Sequence, residues 1–250
     1  GHVEYIHGGV SRNVVEDIAN IELRPTFVGI VDDSALGEDV VKKLKNHKVN
    51  TDYVMTMPGG MGTWLAVFDH NGDLAGSISQ RPNLMPILGL LEEKGDEIFA
   101  NADSVIVEVD MDKDIIKKVV ALAKQYNKKL YGVVSNMSIA VERRDFLKHF
   151  DCFICNQLEA GMLFMEDYAD KSPEELRDIL SKRVILGKIP AMIVTMGGNG
   201  AVYADVNGEK GICPPQRVRV KDTTGAGDAF CAGVASGLTY GKTLSEAVEI

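Results

Sequence analysis

The segment with the clearest chemical potential is residues 221–238, KDTTGAGDAFCAGVASGL. Gly225, Ala226 and Gly227 leave the backbone bare immediately before a predicted helix rich in small residues. The first N–H groups of a helix have no intrahelical partner, and they lie at the positive end of the helix dipole. Bare amides at such a helix start therefore predict a binding site for phosphate oxygens.

Asp228 lies just inside the same predicted helix, next to those amides. A carboxylate is a weak base toward an alcohol, so its role there would be to orient the nucleophile and accept its proton late. Phosphoryl transfer requires little more of a base than this. The segment thus points to transfer of a phosphoryl group to a hydroxyl. From the spacing alone, the alternative is a glycine-rich turn with a capping aspartate that supports tight helix packing.

Residues 222–230, DTTGAGDAF, resemble the C-terminal signature of the PfkB (ribokinase) family of carbohydrate and nucleoside kinases. The resemblance implies that Asp228 is the catalytic base and that the G-A-G backbone forms the anion hole. It also implies that Thr223 belongs to the nucleotide site and that ATP and Mg²⁺ are required. In several relatives a monovalent cation such as K⁺ binds nearby, and Asp222 is the candidate ligand for it here.

Residues 8–13, GGVSRN, resemble the family's N-terminal substrate motif, in which glycines admit the sugar ring and the asparagine binds its hydroxyls. The implied substrate residues are Gly8, Gly9, Arg12 and Asn13. An arginine directly before the asparagine most resembles the pseudouridine kinase branch, so we expect pseudouridine to be converted to pseudouridine 5′-phosphate. Ribokinase, fructokinase and 2-keto-3-deoxygluconate kinase activities stay open, as does a non-catalytic sugar- or nucleoside-binding protein of the same fold.

Two further segments match the family's order along the chain. Asn156 and Glu159 (NQLE) match its N-x-x-E element, which implies that they place Mg²⁺ and the phosphates through water. Magnesium prefers oxygen ligands and keeps several waters, which suits such a role. Residues 195–200, TMGGNG, resemble the nucleotide-binding turn. The implied nucleotide residues in this turn are Thr195, Gly197, Gly198 and Gly200. Taken alone, these segments also fit an ordinary helix cap and an ordinary glycine loop.

The elements that must position these residues follow a regular alternation from about residue 103 onward. Short apolar, β-branched runs alternate with amphipathic segments such as residues 114–129, which carry apolar residues at helical spacing. Strands separated by helices of this length imply parallel pairing with right-handed crossovers. We therefore predict an α/β fold, a doubly wound, mostly parallel sheet flanked by helices. The predicted strands are residues 104–109, 130–134, 152–155 and 191–195.

The front of the chain predicts a small β-sheet lid. Residues 63–68 and 74–79 read as a β-hairpin around Asn71-Gly72. Residues 3–6 and 52–55 are further strand candidates, so the lid would be drawn from about residues 1–10 and 51–80. Trp64 or Phe68 would supply an apolar surface against the base of a nucleoside, or else both would pack in the core of the lid. The alternative is that the hairpin extends an edge of the main sheet.

We expect one ribokinase-like domain over residues 1–250, incomplete at both ends. Family members carry a substrate-gripping aspartate near the end of their first strand, before the point where this chain starts. They also continue past the signature helix with segments that help to enclose adenine. The last helix here begins with a capping box at Thr243 and Glu246 and then breaks off.

Composition narrows the classes of partner. The net charge is −9 and the basic pairs are scattered, whereas nucleic-acid binders concentrate positive charge. No apolar run approaches the roughly 20 residues that span a bilayer. We therefore expect a cytoplasmic protein with a small-molecule sugar or nucleoside substrate, without nucleic-acid or membrane partners. In part of the family the lid also forms a homodimer interface.

Three other site types are disfavoured by the sequence. The C-x-x-C at Cys152 and Cys155 lies in an apolar run without a second C-x-x-C or a histidine pair, so we predict buried strand residues and no metal site. No G-x-x-x-x-G-K-[S/T] occurs, which excludes a Walker-type phosphate loop. Gly8-Gly9 does not fit the G-x-G-x-x-G of a dinucleotide-binding fold.

Overall fold

The computed structural model describes residues 6–68, 74–219 and 223–250 of the chain. The strands are β1 Thr26–Val31, β2 Asn50–Thr56, β3 Thr63–Phe68, β4 Leu74–Gln80, β5 Ser104–Glu108, β6 Lys129–Val133, β7 Cys152–Asn156, β8 Ala191–Thr195, β9 Ala201–Asp205 and β10 Lys210–Cys213. The helices are α1 Val10–Asn20, α2 Ala35–Asn46, α3 Pro86–Ala100, α4 Lys113–Gln125, α5 Met137–Ala140, α6 Gln157–Phe164, α7 Pro173–Gly187, α8 Ala226–Thr239 and α9 Leu244–Ala247, with 3₁₀ segments Val141–His149 and Gly197–Asn199.

The main sheet has six strands in the order β10-β9-β8-β7-β6-β5. Strands β5 to β8 are parallel neighbours, and β9 and β10 are added as antiparallel strands at one edge. The predicted α/β sheet with helices on both faces is thus present, with an antiparallel hairpin as its extension. A fully covered parallel sheet needs apolar residues on both faces of each strand, which the sequences of β7 and β8 supply.

Strand β7 shows how the two layers of core are divided. Cys152 and Ile154 pack into the layer that holds α1 and α8, whereas Phe153 and Cys155 pack into the layer that holds α3, α4, α6 and α7. Burial raises the thiol pKa of both cysteines above its ordinary value. The C-x-x-C is therefore an ordinary buried strand sequence, as predicted.

One predicted boundary is wrong for a local reason. The helix expected over residues 114–129 ends at Gln125, and β6 already begins at Lys129. Asn127 has φ 50, in the left-handed region, and Lys128 N donates to Ala123 O at 2.8 Å. An asparagine that tolerates this conformation closes the helix and turns the chain into the next strand.

The front of the chain forms two separate pairs of strands. The predicted hairpin is present as the antiparallel pair β3–β4, a two-stranded sheet of its own. Strand β2, which contains the strand predicted at residues 52–55, pairs in parallel with β1, and its membership of a lid stays a prediction. Trp64 on the hairpin has 60% of its surface exposed. Residues 3–5, the turn Asn71-Gly72 and the side chain of Phe68 lie outside the described part, and a lid-mediated homodimer stays a prediction.

Two predicted helix starts are confirmed by their capping boxes. The Ser172 side chain accepts from Glu175 N at the start of α7, and Thr243 accepts from Glu246 N at the start of α9. Each glutamate in turn accepts the backbone N–H of the capping residue, so two otherwise unpaired donors are satisfied at each start. Among the described residues, no helix combines the length and the apolarity that crossing a membrane would require.

Candidate active site

The carboxyl ends of β7 and β8 bring two of the candidate segments side by side. Asn156 is the last residue of β7 and pairs in register with Thr195, the last residue of β8. The N-x-x-E element and the glycine turn therefore follow neighbouring parallel strands at the same edge of the sheet. The crevice at this edge is where open α/β sheets bind ligands.

The predicted anion hole is at the start of α8. Gly225 is the N-cap residue and has φ 78, a backbone conformation that glycine adopts without strain. A Cβ atom added to Gly225 or Gly227 would meet no atom within 4 Å. The start of α8 therefore faces open space, and its backbone is accessible to a ligand. Thr223 precedes it as an exposed residue, while Asp222 lies outside the described residues.

The N-terminal motif meets the signature helix directly. Helix α1 packs against α8 and β5. Asn13 Nδ2 donates a hydrogen bond of 2.7 Å to Asp228 Oδ2, which joins residues 215 apart in the sequence. The implied acceptor-binding asparagine and the implied base are thus in contact, beside the open amides of α8. A hydroxyl bound near Asn13 would lie within reach of the carboxylate.

The surroundings of Asp228 act on its charge in opposite directions. Desolvation by burial raises its pKa above the ordinary aspartate value and is the largest influence. The hydrogen bond from Asn13 lowers the pKa, the negative charge of Asp17 raises it, and the positive charge of Arg12 lowers it. The net result is a carboxylate with a raised pKa, which makes it a better proton acceptor than an exposed aspartate.

Arg12 contacts its own segment of the chain. Its Nε donates to Gly8 O at 3.0 Å, and its Nη2 donates to His7 O at 2.9 Å and also to Asn13 Oδ1. Its Nη1 pairs with Glu16, one turn further along α1. The guanidinium therefore joins the His7-Gly8 backbone to the first turns of α1.

Asn156 and Glu159 form a capping box at the start of α6. Glu159 Oε2 accepts from Asn156 N at 2.7 Å, and Asn156 Oδ1 accepts from Glu159 N at 2.9 Å. Desolvation raises the pKa of Glu159, the hydrogen bond from Asn156 N lowers it, and the charges of Asp110 and Asp228 raise it further. Glu159 therefore experiences the negative charge of two other carboxylates, Asp110 and Asp228.

These residues fit a magnesium ion that is held mainly by water and phosphate. Asn156 and Glu159 supply the oxygen atoms that magnesium prefers. Within residues 6–68, 74–219 and 223–250, no group of three or more His, Cys, Asp or Glu side chains is arranged to hold a metal ion by itself. A divalent cation would offset the negative potential that Asp110 and Asp228 create at Glu159.

The glycines of the turn after β8 divide into two kinds. Gly197 and Gly198 face open space, where a Cβ atom would meet nothing within 4 Å. Gly200 has φ 86, and a Cβ atom there would lie 2.1 Å from Cys213 O. Gly200 is thus required by the backbone packing of the turn, whereas Gly197 and Gly198 are free to approach a ligand. Thr195 is half-buried at the end of β8.

Two acidic residues near the end of β5 were not singled out from the sequence: Glu108, the last residue of the strand, and Asp110, which follows it. Asp110, whose side chain is 0% exposed, accepts from Arg81 Nη2 at 2.9 Å, from Ser135 N at 2.9 Å and from Ser135 Oγ at 2.7 Å. Glu108 Oε1 accepts from Ser11 N at 2.9 Å in the first turn of α1. The signal that could have found them is an alternation of acidic and apolar residues, V-E-V-D, at the end of a predicted strand.

Comparison with known proteins gives one family throughout. A family model described as pfkB family carbohydrate kinase matches residues 1–250. Guanosine-inosine kinase from Exiguobacterium acetylicum is 33% identical over 258 aligned residues, covering 100% of this chain and 82% of that enzyme. Pseudouridine kinase from Escherichia coli (strain K12) is 24% identical over 259 aligned residues, covering 99% of this chain and 78% of that enzyme.

Solved structures agree on the fold. Adenosine kinase from Sinorhizobium meliloti matches with a TM-score of 0.80 at 21% identity, covering 100% of this chain and 76% of that chain. Arabidopsis thaliana ribokinase complexed with ribose and ATP matches with a TM-score of 0.80 at 20% identity, covering 96% of this chain and 77% of that chain. The predicted ribokinase-like fold is confirmed. With the family match spanning all 250 residues, the chain belongs to the pfkB family of carbohydrate kinases and is a phosphotransferase.

Proposed function

We propose that this protein transfers the γ-phosphoryl group of ATP to the 5′-hydroxyl of a nucleoside. The observation that carries the proposal is the 2.7 Å hydrogen bond between Asn13 and Asp228 beside the open start of α8. In this arrangement Asp228 would orient the hydroxyl and accept its proton. The amides of Gly225, Ala226 and Gly227 would stabilise the charge that develops on the transferred phosphoryl group.

The nucleotide would lie along the neighbouring turn. Gly197 and Gly198 would let the nucleotide approach the backbone of the turn, and Gly200 would maintain the conformation of the turn. Thr195 and Thr223 would place hydroxyl groups on either side of the nucleotide. Asn156 and Glu159 would hold Mg²⁺ through water, and the bound ion would supply neutralisation of charge on the phosphate oxygens. Support for ATP as the donor comes from the likeness to the ribokinase that was solved with ATP.

Two classes of nucleoside are candidates for the acceptor. The relative that is 33% identical over the whole chain is a guanosine-inosine kinase, while the pseudouridine kinase is 24% identical. Our sequence argument for pseudouridine depended on Arg12, yet the donors of that guanidinium already bind His7, Gly8, Asn13 and Glu16. We therefore place inosine and guanosine first and pseudouridine second.

A coupled ADP-release assay over a panel of acceptors tests this order. The panel contains inosine, guanosine, pseudouridine, uridine, ribose, fructose and 2-keto-3-deoxygluconate, each with ATP and Mg²⁺. We expect the highest kcat/KM for a 6-oxopurine nucleoside. A clear preference for a free sugar would overturn the nucleoside proposal, and saturable binding without ADP release would indicate a binding protein. Repeating the assay with K⁺ replaced by a bulky organic cation tests the K⁺ site proposed at Asp222.

Glu159→Gln isolates the role of charge near the metal from the role of the capping box. Glutamine still accepts at this capping position, so we expect the thermal unfolding midpoint to stay within about 2 °C. Loss of the negative charge should raise the Mg²⁺ concentration for half-maximal rate about tenfold, because less charge remains to attract the ion. The measurement is a Mg²⁺ titration of the initial rate at saturating ATP and acceptor.

Glu175→Gln is the matched control, because Glu175 occupies the same position in the capping box of α7. It should leave the Mg²⁺ dependence unchanged. Equal Mg²⁺ curves for both variants would contradict a metal role for Glu159.

A further inference from the structure

The hydrogen bonds of Arg12 fix the orientation of a neighbouring amide. An asparagine side chain has one oxygen that only accepts and one nitrogen that only donates, and an arginine has donors alone. Arg12 Nη2 donates to Asn13 Oδ1, and Asn13 Nδ2 donates to Asp228 Oδ2. The opposite orientation of the amide would set its NH₂ group against the guanidinium and its oxygen against the carboxylate. Both contacts would then be repulsive.

The guanidinium is itself held in place from several sides. Backbone oxygens of His7 and Gly8 accept from it, and Glu16 pairs with it across one helical turn. Its partners His7, Gly8 and Glu16 therefore hold the guanidinium in place independently of Asn13. In that position Nη2 points at the Asn13 amide oxygen. A planar fork of donors can make such contacts simultaneously, which a single ammonium group cannot.

We propose that Arg12 is a positioning residue, which orients the Asn13 amide so that it donates to Asp228 and aligns that carboxylate for the acceptor hydroxyl. Arg12 acts through Asn13 and does not contact the acceptor. The proposal deepens the proposed function and rests on Asp228 being the base. In this role Arg12 would act in the same way on every acceptor whose hydroxyl reaches Asp228, and its effect would not depend on the base or sugar of the acceptor.

Several charged groups surround Asp228 and must be considered with it. From α1 they are Arg12, Asp17 and, one turn away, Glu16; from α6 it is Glu159. Burial favours the protonated form of Asp228, and so does the negative charge of Asp17. Arg12 and the Asn13 hydrogen bond oppose them. Removing Arg12 would therefore weaken both of the influences that keep Asp228 ionised.

The test is a double-mutant cycle with Arg12→Met, Asn13→Ala and the double variant, assayed in the full chain with inosine and with pseudouridine. We expect Arg12→Met to lower kcat on the order of 10- to 100-fold, the cost of a misaligned reacting group. The acid limb of the kcat profile should move upward, by about half a pH unit or more. In the Asn13→Ala background, the same Arg12 substitution should change the plateau kcat less than threefold, because the hydrogen-bonded route through Asn13 is already lost and the charge of Arg12 acts on the pKa of Asp228.

Further measurements separate this role from a structural or a specificity role. The ratio of kcat/KM for inosine and pseudouridine should be the same in Arg12→Met and wild type, and Arg12→Lys should recover only part of kcat. Arg24→Met is the matched control, since within the described part of the chain Arg24 donates to the nearby carbonyls of Glu22 and Leu23. It should leave kcat and the pH profile unchanged.

The positioning role of Arg12 and the base role of Asp228 can fail separately. Fully additive effects in the cycle, or a changed acceptor ratio, would overturn the positioning role. Should Arg12→Met fail to fold, Asn13→Asp takes its place. That side chain still accepts from Arg12 but cannot donate to Asp228, so kcat must fall while the Arg12 contacts persist, and an unchanged kcat would reject the proposal. Asp228→Asn, measured in parallel, shows separately whether Asp228 is the base.

Discussion

Asp228→Asn is expected to lower kcat about a thousandfold, while the KM values for both substrates change little. Asparagine has nearly the same shape, and its oxygen can still accept the hydrogen bond from Asn13 Nδ2. What it loses is the ability to take the proton of the acceptor hydroxyl. Steady-state kinetics measures the rate, and calorimetric titration with the acceptor measures binding.

Asp17→Asn is the control for charge in the same region. Asp17 raises the pKa of Asp228 through its negative charge but does not take part in the Asn13 hydrogen bond. We expect the control to keep kcat within about threefold of wild type at neutral pH. If Asp228→Asn turned over substrate at the wild-type rate, the base assignment would be wrong.

The pH dependence of the wild-type enzyme follows from the same environment. As the proposed base, Asp228 would act in its ionised form, and this form is lost as the pH falls through its pKa. Because desolvation raises that pKa, the acid limb should lie above the ordinary aspartate value of about 3.9. Asp17→Asn removes a charge that raises the pKa, so it should move the limb downward. A kcat profile over pH 4 to about 8 checks both the position and the direction.

The largest expected change in stability comes from Asp110→Ala, about 3 kcal/mol off the free energy of unfolding. The Asp110 side chain is fully buried and accepts three hydrogen bonds, one from Arg81 and two from Ser135. Removing it leaves the Arg81 guanidinium and two Ser135 donors without their acceptor. Urea unfolding followed by circular dichroism measures the difference.

Asp114→Ala provides the comparison, because it removes an aspartate from an exposed ion pair. Asp114 lies 3.1 Å from Lys117 and its side chain is 64% exposed. We expect a change below about 0.5 kcal/mol there, as is usual for exposed pairs. Equal stability of the two variants would show that the Asp110 contacts contribute no more than a surface pair. Arg81 follows β4, so Asp110→Ala should also loosen the attachment of the hairpin to the main sheet.

The sequence could predict those local features whose conformation depends on a few adjacent residues. The capping boxes at Ser172 and Thr243, the buried strand at residues 152–155 and the glycine-rich start of α8 each depend on a few adjacent residues. Their residue types are restrictive, so the local conformation follows from them. The family signature also implies roles for the residues at the start of α8, and these stay predictions.

The sequence could not predict contacts between distant segments. The pairing of β2 with β1, the ion pair of Arg81 with Asp110 and the contact of Glu108 with Ser11 join segments that only the folded chain brings together. Arginines and aspartates are also common on surfaces, so their types alone do not distinguish a buried pair from solvated side chains. In the same way, the residue type of Arg12 did not show which acceptors its guanidinium binds.

The 215-residue separation between Asn13 and Asp228 has a consequence for the order of folding. Closing so long a loop costs chain entropy before the contact returns any energy, and non-local contacts of this kind form slowly. The individual helices can form from local interactions while Asn13 and Asp228 are still apart. Recovery of enzymatic turnover after dilution from denaturant should therefore lag behind recovery of helical content.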